Sequence, residues 1–218
     1  MSDSPHPSNE STAQDFAIGF VGKRVLPPGS EAALRATLAQ VLDQLAAENP
    51  GHALLGVSSL ALGADTVFVE LIAARGRPTY QQLIFLPTAP AGFFLPDDFR
   101  LGDEAATDPA VQARVARSEN LLKAPAVREV RITGTSTDRD ERFAETAFAI
   151  VRACDVLLVA CTQADYDAAL SPDPTIKLAR GGSAETLRYA RAGHKRAIVL
   201  LVDAPGAGAR LPIRLVEA

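Results

Sequence analysis

The residue types best suited to binding an anion lie in one segment near the carboxyl end of the sequence. Gly181-Gly182-Ser183 comes directly before a predicted helix, with Lys177 and Arg180 just upstream. Free backbone amides at a helix start, together with the positive end of the helix dipole, bind phosphate groups. The segment therefore predicts an anion site, although a flexible loop in which Ser183 caps the helix fits the same residues.

A second candidate segment, Gly22-Lys23-Arg24, follows the first apolar run of the chain. A glycine at the end of a strand lets backbone amides approach a phosphate, and the two cations supply charge and a bidentate donor. The segment matches neither the G-x-G-x-x-G fingerprint nor a P-loop. A tight turn with two solvated cations is the alternative interpretation.

Two more polar segments follow the next predicted strands. Ser58 and Ser59 end one strand, and Gly63 and Asp65 begin the helix after it, an arrangement that suits a ribose or phosphate contact. Asp65 could equally cap that helix or complement its dipole. Thr88 follows the third strand and begins a long segment rich in Phe, which is interpreted either as an apolar lid over a ligand or as a packed excursion.

Other kinds of reactive site find no support in the sequence. The acidic residues of the long segment have no His beside them, so no metal site is predicted there. The sequence contains no G-x-S-x-G nucleophile motif. Cys154 and Cys161 flank a predicted buried strand, where they are expected to pack as small apolar side chains.

Short apolar runs alternate with amphipathic helices along the chain. Strands are predicted at 16–21, 52–58, 82–86, 127–132, 155–160 and 197–202, and helices at 30–47, 64–75, 109–123, 139–152 and 183–192. This alternation predicts an α/β, Rossmann-like fold: a single doubly wound, mainly parallel sheet with helices on both faces. Ligands of such sheets bind at the carboxyl ends of the strands, where the strand order reverses.

The predicted domain organisation is simple. Residues 1–14, rich in Ser, Pro and Asn, are expected to be a disordered leader, and residues 15–218 a single domain. Ser30 and Asp108 are predicted to cap the helices that follow them.

Composition bounds the class of protein. The 218 residues carry a formal net charge of -4, which argues against nucleic acid as a partner. No apolar run approaches the roughly 20 residues needed to cross a membrane, so no membrane partner is expected. The polar start of the chain does not resemble a signal peptide, and two cysteines suit a reducing compartment. A cytoplasmic location is expected.

Taken in order, five segments resemble motifs of the GVTGHR branch of the SLOG family, within the wider group of DprA-like and LOG-like Rossmannoid domains. The matching segments are IGFVGKR at 18–24, SSLALGAD at 58–65, LP with DDF at 86–87 and 97–99, CDVLLVA at 154–160 and GGSAE at 181–185. Lys23 stands where the branch has His, and Ser183 where it has Thr.

The resemblance implies a domain that binds nucleotides and senses nucleotide-derived second messengers, as in prokaryotic anti-phage defence. An ADP-ribose-like or AMP-like ligand is then expected, with no required cofactor, an effector domain or protein as a further partner, and self-association. The ligand-binding candidates are Gly22, Lys23, Arg24, Ser58, Ser59, Gly63, Asp65, Thr88, Gly181, Gly182, Ser183 and Glu185.

Two alternatives remain within the same resemblance. LOG-type phosphoribohydrolases have a P-G-G-x-G-T-x-x-E loop, whose final acid takes part in cleaving an N-glycosidic bond. Here Glu185 lies one residue before that position, which turns its side chain by about 100° on a helix, and Arg180 replaces the proline. Such a hydrolase would use Glu185 with Arg24 or Arg180. The other alternative is an interaction module with a vestigial site.

Overall fold

A computed structural model describes residues 15–76, 79–203 and 210–216, so the predicted leader at 1–14 lies outside the described residues. The strands are β1 (Asp15–Gly22), β2 (Ala53–Ser58), β3 (Tyr80–Leu86), β4 (Val127–Ile132), β5 (Val156–Cys161), β6 (Ala197–Leu201) and β7 (Ile213–Val216). The helices are α1 (Ser30–Glu48), α2 (Ala64–Arg75), α3 (Pro90–Phe93), α4 (Pro109–Leu122), α5 (Arg139–Ala153), α6 (Gln163–Leu170) and α7 (Ser183–Ala192), with a 3-10 helix at Pro96–Phe99.

The strands form one sheet in the order β4-β3-β2-β1-β5-β6-β7. All neighbours in it are parallel except β6 and β7, which pair antiparallel. The α/β, Rossmann-like fold class predicted from the sequence is confirmed. From β1 the chain builds outward to β4 on one side, and it then returns to place β5 on the other side. The strand order therefore reverses between β1 and β5, whose carboxyl ends lie side by side.

Helices cover both faces of the sheet because successive side chains of a buried strand point to opposite faces. On one face Phe20 stacks on Phe68 of α2, with ring centroids 4.7 Å apart, in a core that also includes α1. On the other face Val21 belongs to a core with Ile150 of α5 and Leu187 of α7. Within the described residues, no helix is long and apolar enough to cross a membrane.

The predicted elements are confirmed with bounds that differ by at most two residues, but short elements escaped prediction. Among these, α6 has eight residues and begins with a capping box between Thr162 and Asp165. Asp108 caps α4, as predicted, by accepting a hydrogen bond from the Ala110 amide at 2.7 Å. The prediction that Ser30 caps α1 is wrong: Gly29 is the cap residue, and the buried Ser30 hydroxyl donates to the Pro27 carbonyl.

The segment after β3 is a packed excursion rather than a lid. Phe93, Phe94 and Phe99 are all buried in the core on the α1 and α2 face. The two cysteines are also buried. Burial raises the pKa of Cys154 to about 11 and that of Cys161 to about 12, in keeping with their expected packing role.

Gln82 of β3 yields a testable prediction about stability. Its side chain is buried, and neither its amide nitrogen nor its amide oxygen has a hydrogen-bond partner among the described residues. A buried polar group without a partner costs about 1–3 kcal/mol, and replacing it by an apolar group of similar shape removes that cost. Gln82→Met should therefore raise the free energy of unfolding in urea, whereas Gln81→Met, at the half-buried neighbouring position, should leave it nearly unchanged. A destabilised Gln82→Met would contradict this account.

Candidate functional site

A cleft of about 480 Å³ lies at the carboxyl edge of the sheet, where the strand order reverses. Its walls come from the end of β1, the segment after β2, the start of α5 and the start of α7. The lining residues are Gly22, Lys23, Arg24, Val25, Ala61, Arg139, Asp140, Phe143, Ala179, Arg180, Gly181, Gly182 and Ser183. The two glycine segments predicted to bind an anion therefore face each other across one cleft.

Gly63 holds the segment after β2 directly against the end of β1. Its φ is +88°, and a β-carbon there would lie 2.3 Å from the Arg24 carbonyl oxygen. The Ala64 amide donates to the Lys23 carbonyl at 3.0 Å. Gly63 is therefore required for this backbone contact. Because Gly63 directly precedes α2, the contact also fixes the position of that helix and of Asp65 in its first turn.

The start of α7 presents uncapped backbone amides to the cleft. Gly182 is the cap residue and supplies no side chain, so the amides of the first turn keep their hydrogen-bonding capacity. The interpretation of Ser183 as the cap is wrong, because Ser183 is the first residue of the helix. Gly181 has φ +68°, and a β-carbon there would lie 2.6 Å from the Phe143 backbone. This close approach fixes the start of α7 against α5.

Glu185 lies beneath that helix start and is already paired. Its carboxylate accepts a hydrogen bond from the Gly181 amide at 2.7 Å and forms an ion pair with Arg180. The Arg180 guanidinium also bonds Glu141, through Nε at 3.1 Å, and Tyr189 at 3.0 Å. The hydrogen bonds to the carboxylates of Glu141 and Glu185 raise the pKa of Arg180, and the bond to Glu141 has the larger effect. Only 10% of the Glu185 side chain is exposed. Its carboxylate stabilises the turn because it bonds both the Gly181 amide and Arg180.

Asp65 faces an inner cavity of about 60 Å³ that adjoins the cleft. The inner cavity shares Gly22, Ala61, Phe143, Gly181 and Ser183 with the lining of the cleft. Asp65 is only 3% exposed; one carboxylate oxygen accepts a hydrogen bond from Ser59 at 2.6 Å, and the other has no partner among the described residues. Burial raises the pKa of Asp65 to about 7, although the Ser59 hydrogen bond and then the nearby backbone amides of Ala61 and Gly22 oppose the rise.

Asp65 does not cap α2, since Gly63 is the cap residue and the carboxylate bonds Ser59 instead. It does lie in the first turn of α2, as the sequence indicated. The site thus contains one carboxylate neutralised by an arginine and one with no ion pair among the described residues.

The cations at the rim of the cleft are held in different ways. Lys23 forms an ion pair with Asp165 at 3.0 Å. Arg24 donates to the backbone carbonyls of Asp97 and Asp98, and partial burial lowers its pKa. Arg139, at the start of α5, pairs with the Asp98 carboxylate, and its guanidinium lies 4.9 Å from the centre of the Phe143 ring.

Four predicted site residues lie outside the lining of the cleft and the inner cavity: Ser58, Gly63, Thr88 and Glu185. Ser58 is fully buried, and its hydroxyl has no partner among the described residues. Thr88 follows β3 and is half-buried. Conversely, sequence reasoning missed Arg139 and Phe143, which lie where α5 packs beside α7 and belong to no motif. Within the described ranges, no group of three or more His, Cys, Asp or Glu residues is arranged to hold a metal ion.

Comparison with known proteins gives a structural likeness only. No family model and no curated protein matches the chain. One similar solved structure is DNA processing protein A from Helicobacter pylori, which binds single-stranded DNA. The two share 14% sequence identity with a TM-score of 0.47, and the match covers 94% of this chain and 69% of that chain.

The predicted exclusion of nucleic acid from the partners of this chain is corrected by that finding, because the similar structure is that of a DNA-binding protein. The physical error lies in using the net charge of the whole chain, which is -4. Lys23, Arg24, Arg139 and Arg180 line one cleft beside the uncapped amides of α7, a local arrangement that the net charge does not reveal. Phosphate binding depends on such a local arrangement rather than on the total charge.

The raised pKa of Asp65 predicts a pH-dependent stability. The folded carboxyl titrates near 7 instead of near the ordinary 3.8, so between these values the unfolded chain releases a proton that the folded chain keeps. The free energy of unfolding should therefore fall as pH rises through this window, relative to Asp65→Asn, by up to about 1.4 kcal/mol per pH unit.

Urea unfolding of the two proteins at several pH values between 4 and 8 measures this difference. Asp103→Asn, which changes an exposed carboxylate, is the control and should follow the wild-type profile. Parallel profiles for wild type and Asp65→Asn would show that Asp65 titrates normally.

Proposed function

We propose that the cleft binds a nucleotide or a nucleotide-derived ligand. Its phosphate would lie at the start of α7, and its sugar hydroxyls would contact Asp65. One observation carries the proposal: the uncapped amides of α7 and the unpartnered oxygen of Asp65 face two adjoining cavities with shared walls. A ligand that satisfies both groups needs an anion at one end and hydrogen-bond donors at the other.

The phosphate end is supported by the geometry of the helix start. Backbone amides at an uncapped helix start and the helix dipole favour an anion. Arg24 and Arg139 line the same cleft, and guanidinium groups bind phosphate through paired hydrogen bonds. Glu185 is neutralised by Arg180, so it opposes an incoming anion less than a free carboxylate would.

The sugar end is supported by the chemistry of Asp65. Its free oxygen is a hydrogen-bond acceptor in a cavity of about 60 Å³, and the ionised carboxylate would repel a second anion there. Ribose hydroxyls are neutral donors that fit a buried acceptor. The orientation of the ligand follows, with the phosphate toward Gly182 and the sugar toward Asp65.

The more specific role that we propose is sensing of a nucleotide-derived second messenger, as the resemblance to the SLOG family implies, in a defence system of the kind in which such domains occur. The placement of Glu185 favours binding over N-glycosidic cleavage. A hydrolase of LOG type needs a carboxylate beside the ribose to stabilise an oxocarbenium-like transition state. Here the Glu185 side chain is only 10% exposed and lines neither the cleft nor the inner cavity, so its carboxylate does not lie beside the proposed sugar position.

Gly182→Asp tests the phosphate site. Gly182 has φ -76°, which any residue adopts, and Asp is a favourable cap that would supply its own carboxylate to the free amides. The variant should weaken binding of AMP or ADP-ribose by about ten- to one hundred-fold. A β-carbon at this position would lie 3.0 Å from the Ala179 carbonyl oxygen, so the melting temperature is compared with that of Gly182→Ala, which makes the same contact. Gly182→Ala adds a β-carbon but no charge, and it is the matched control that should retain most of the affinity.

The ligand is first identified by thermal shift against AMP, ATP, ADP-ribose, cyclic dinucleotides and a single-stranded oligonucleotide, since a ligand that binds only the folded chain raises the melting temperature. Chromatography of the recovered ligand then distinguishes the roles. An intact ligand supports a sensor, and a cleaved one supports the hydrolase. Equal affinity in Gly182→Asp and wild type would contradict the phosphate site.

A further inference from the structure

A second cavity, which we call the side pocket, lies on the other side of Arg24 from the cleft. It has a volume of about 280 Å³ and lies between the segment that follows β1, the start of α2 and one face of α4. Arg24 lines both the side pocket and the cleft. A third, small cavity of about 50 Å³ shares Arg24 and Leu62 with the side pocket, and Arg24, Ala61, Arg139 and Phe143 with the cleft. The third cavity therefore adjoins both larger spaces and shares Arg24 with each of them.

The lining of the side pocket suits an uncharged ring. Its apolar surface comes from Leu26, Pro27, Pro28, Leu62 and Leu101. These residues offer flat or branched hydrocarbon surface and no charge, and ligand pockets with this kind of lining bury the apolar part of a small molecule.

The arginines of the side pocket are already neutralised. Arg114 forms a bidentate ion pair with Glu104, with distances of 2.6 and 2.7 Å, and Arg117 forms one with Glu70 at the same distances. Arg114 lowers the pKa of Glu104 to about 2, so that carboxylate stays ionised at neutral pH. Carboxylates thus occupy the N–H groups along one edge of each guanidinium. The flat faces remain for a ligand, and such faces stack on aromatic rings.

The two spaces therefore differ in the chemistry that they favour. The cleft offers an anion the uncapped amides of α7 and Arg24, whose guanidinium donates to backbone carbonyls, whereas the side pocket offers hydrocarbon and charge-paired arginines. Glu31, which also lines the side pocket, is ion-paired with Arg35 and Arg117, so it adds to the compensation of the arginine charge there. We propose that the side pocket receives the neutral heteroaromatic base of the same ligand whose phosphate lies in the cleft, with Arg24 between them. This inference rests on the proposed function and adds the second half of its ligand.

The test separates the base from the sugar phosphate by isothermal titration calorimetry on the whole chain. The probes are ribose 5-phosphate, the four nucleoside 5′-monophosphates and adenosine. We expect at least one nucleoside monophosphate to bind about ten-fold or more tightly than ribose 5-phosphate, because stacking of a base contributes on that scale.

Ser118→Leu then locates the base. Ser118 is buried on α4 and lines the side pocket, so the larger side chain fills it. This variant should reduce nucleoside monophosphate affinity to that of ribose 5-phosphate and leave ribose 5-phosphate binding unchanged, whereas Ser118→Ala should behave like wild type. Leu26→Ala, which removes part of the half-buried apolar wall, should weaken only the nucleotides. Leu95→Ala, at an exposed position outside the pocket, is its control.

The outcomes distinguish the two proposals. If ribose 5-phosphate binds and no nucleoside monophosphate binds more tightly, the side pocket does not receive a base, while the proposed function stands. The same conclusion follows if Ser118→Leu and Leu26→Ala leave the preference for the nucleotide intact. If adenosine binds in a way that Ser118→Leu abolishes, and ribose 5-phosphate does not bind, the side pocket is supported and the phosphate site is overturned. Binding of none of the probes overturns both.

Discussion

The site depends on two positions where the absence of a side chain lets backbone segments touch. At Gly63, a β-carbon would lie 2.3 Å from the Arg24 carbonyl oxygen, and at Gly181 it would lie 2.6 Å from the Phe143 backbone. Both glycines also have positive φ, which other residues adopt only with strain. The first contact sets the start of α2 against β1, and the second sets the start of α7 against α5. The inner cavity with Asp65 lies between these two contacts.

Most of the fold could be predicted from the sequence because its determinants are local. Buried parallel strands are continuous apolar runs, and the amphipathic helices between them have a different period, so the alternation alone indicates the sheet. The short elements escaped for the same reason. The eight residues of α6 begin with a capping box but span too few turns for a periodic pattern, and the four residues of β7 pair antiparallel at the sheet edge.

The site could be predicted where its residues lie in, or next to, a glycine segment that follows a strand or begins a helix. The glycine segments are visible in the sequence because a glycine directly after a strand indicates a tight turn or a close backbone approach, and the structure places both segments in one cleft. The sequence does not indicate which side chains reach the cleft from helices that lie far from the glycine segments along the chain. Arg139 and Phe143 reach the cleft because the start of α5 packs against the Gly181 segment before α7. Ser58 shows the reverse case, since the alternation of β2 turns its hydroxyl into the protein interior.

The two carboxylates of the site explain why its ends differ. Glu185 bonds a backbone amide and an arginine, so its charge is compensated within the turn. Asp65 has Ser59 as its one side-chain partner and no ion pair among the described residues, and burial makes its charged form costly although Ser59 and the backbones of Ala61 and Gly22 offset part of that cost. An anion is therefore favoured at the start of α7 and disfavoured at Asp65, where a neutral hydrogen-bond donor satisfies the free oxygen. The protein compensates the charge of Glu185 with an arginine but provides no such partner for Asp65. This difference makes the site selective for a ligand with one charged end and one hydroxyl-bearing end.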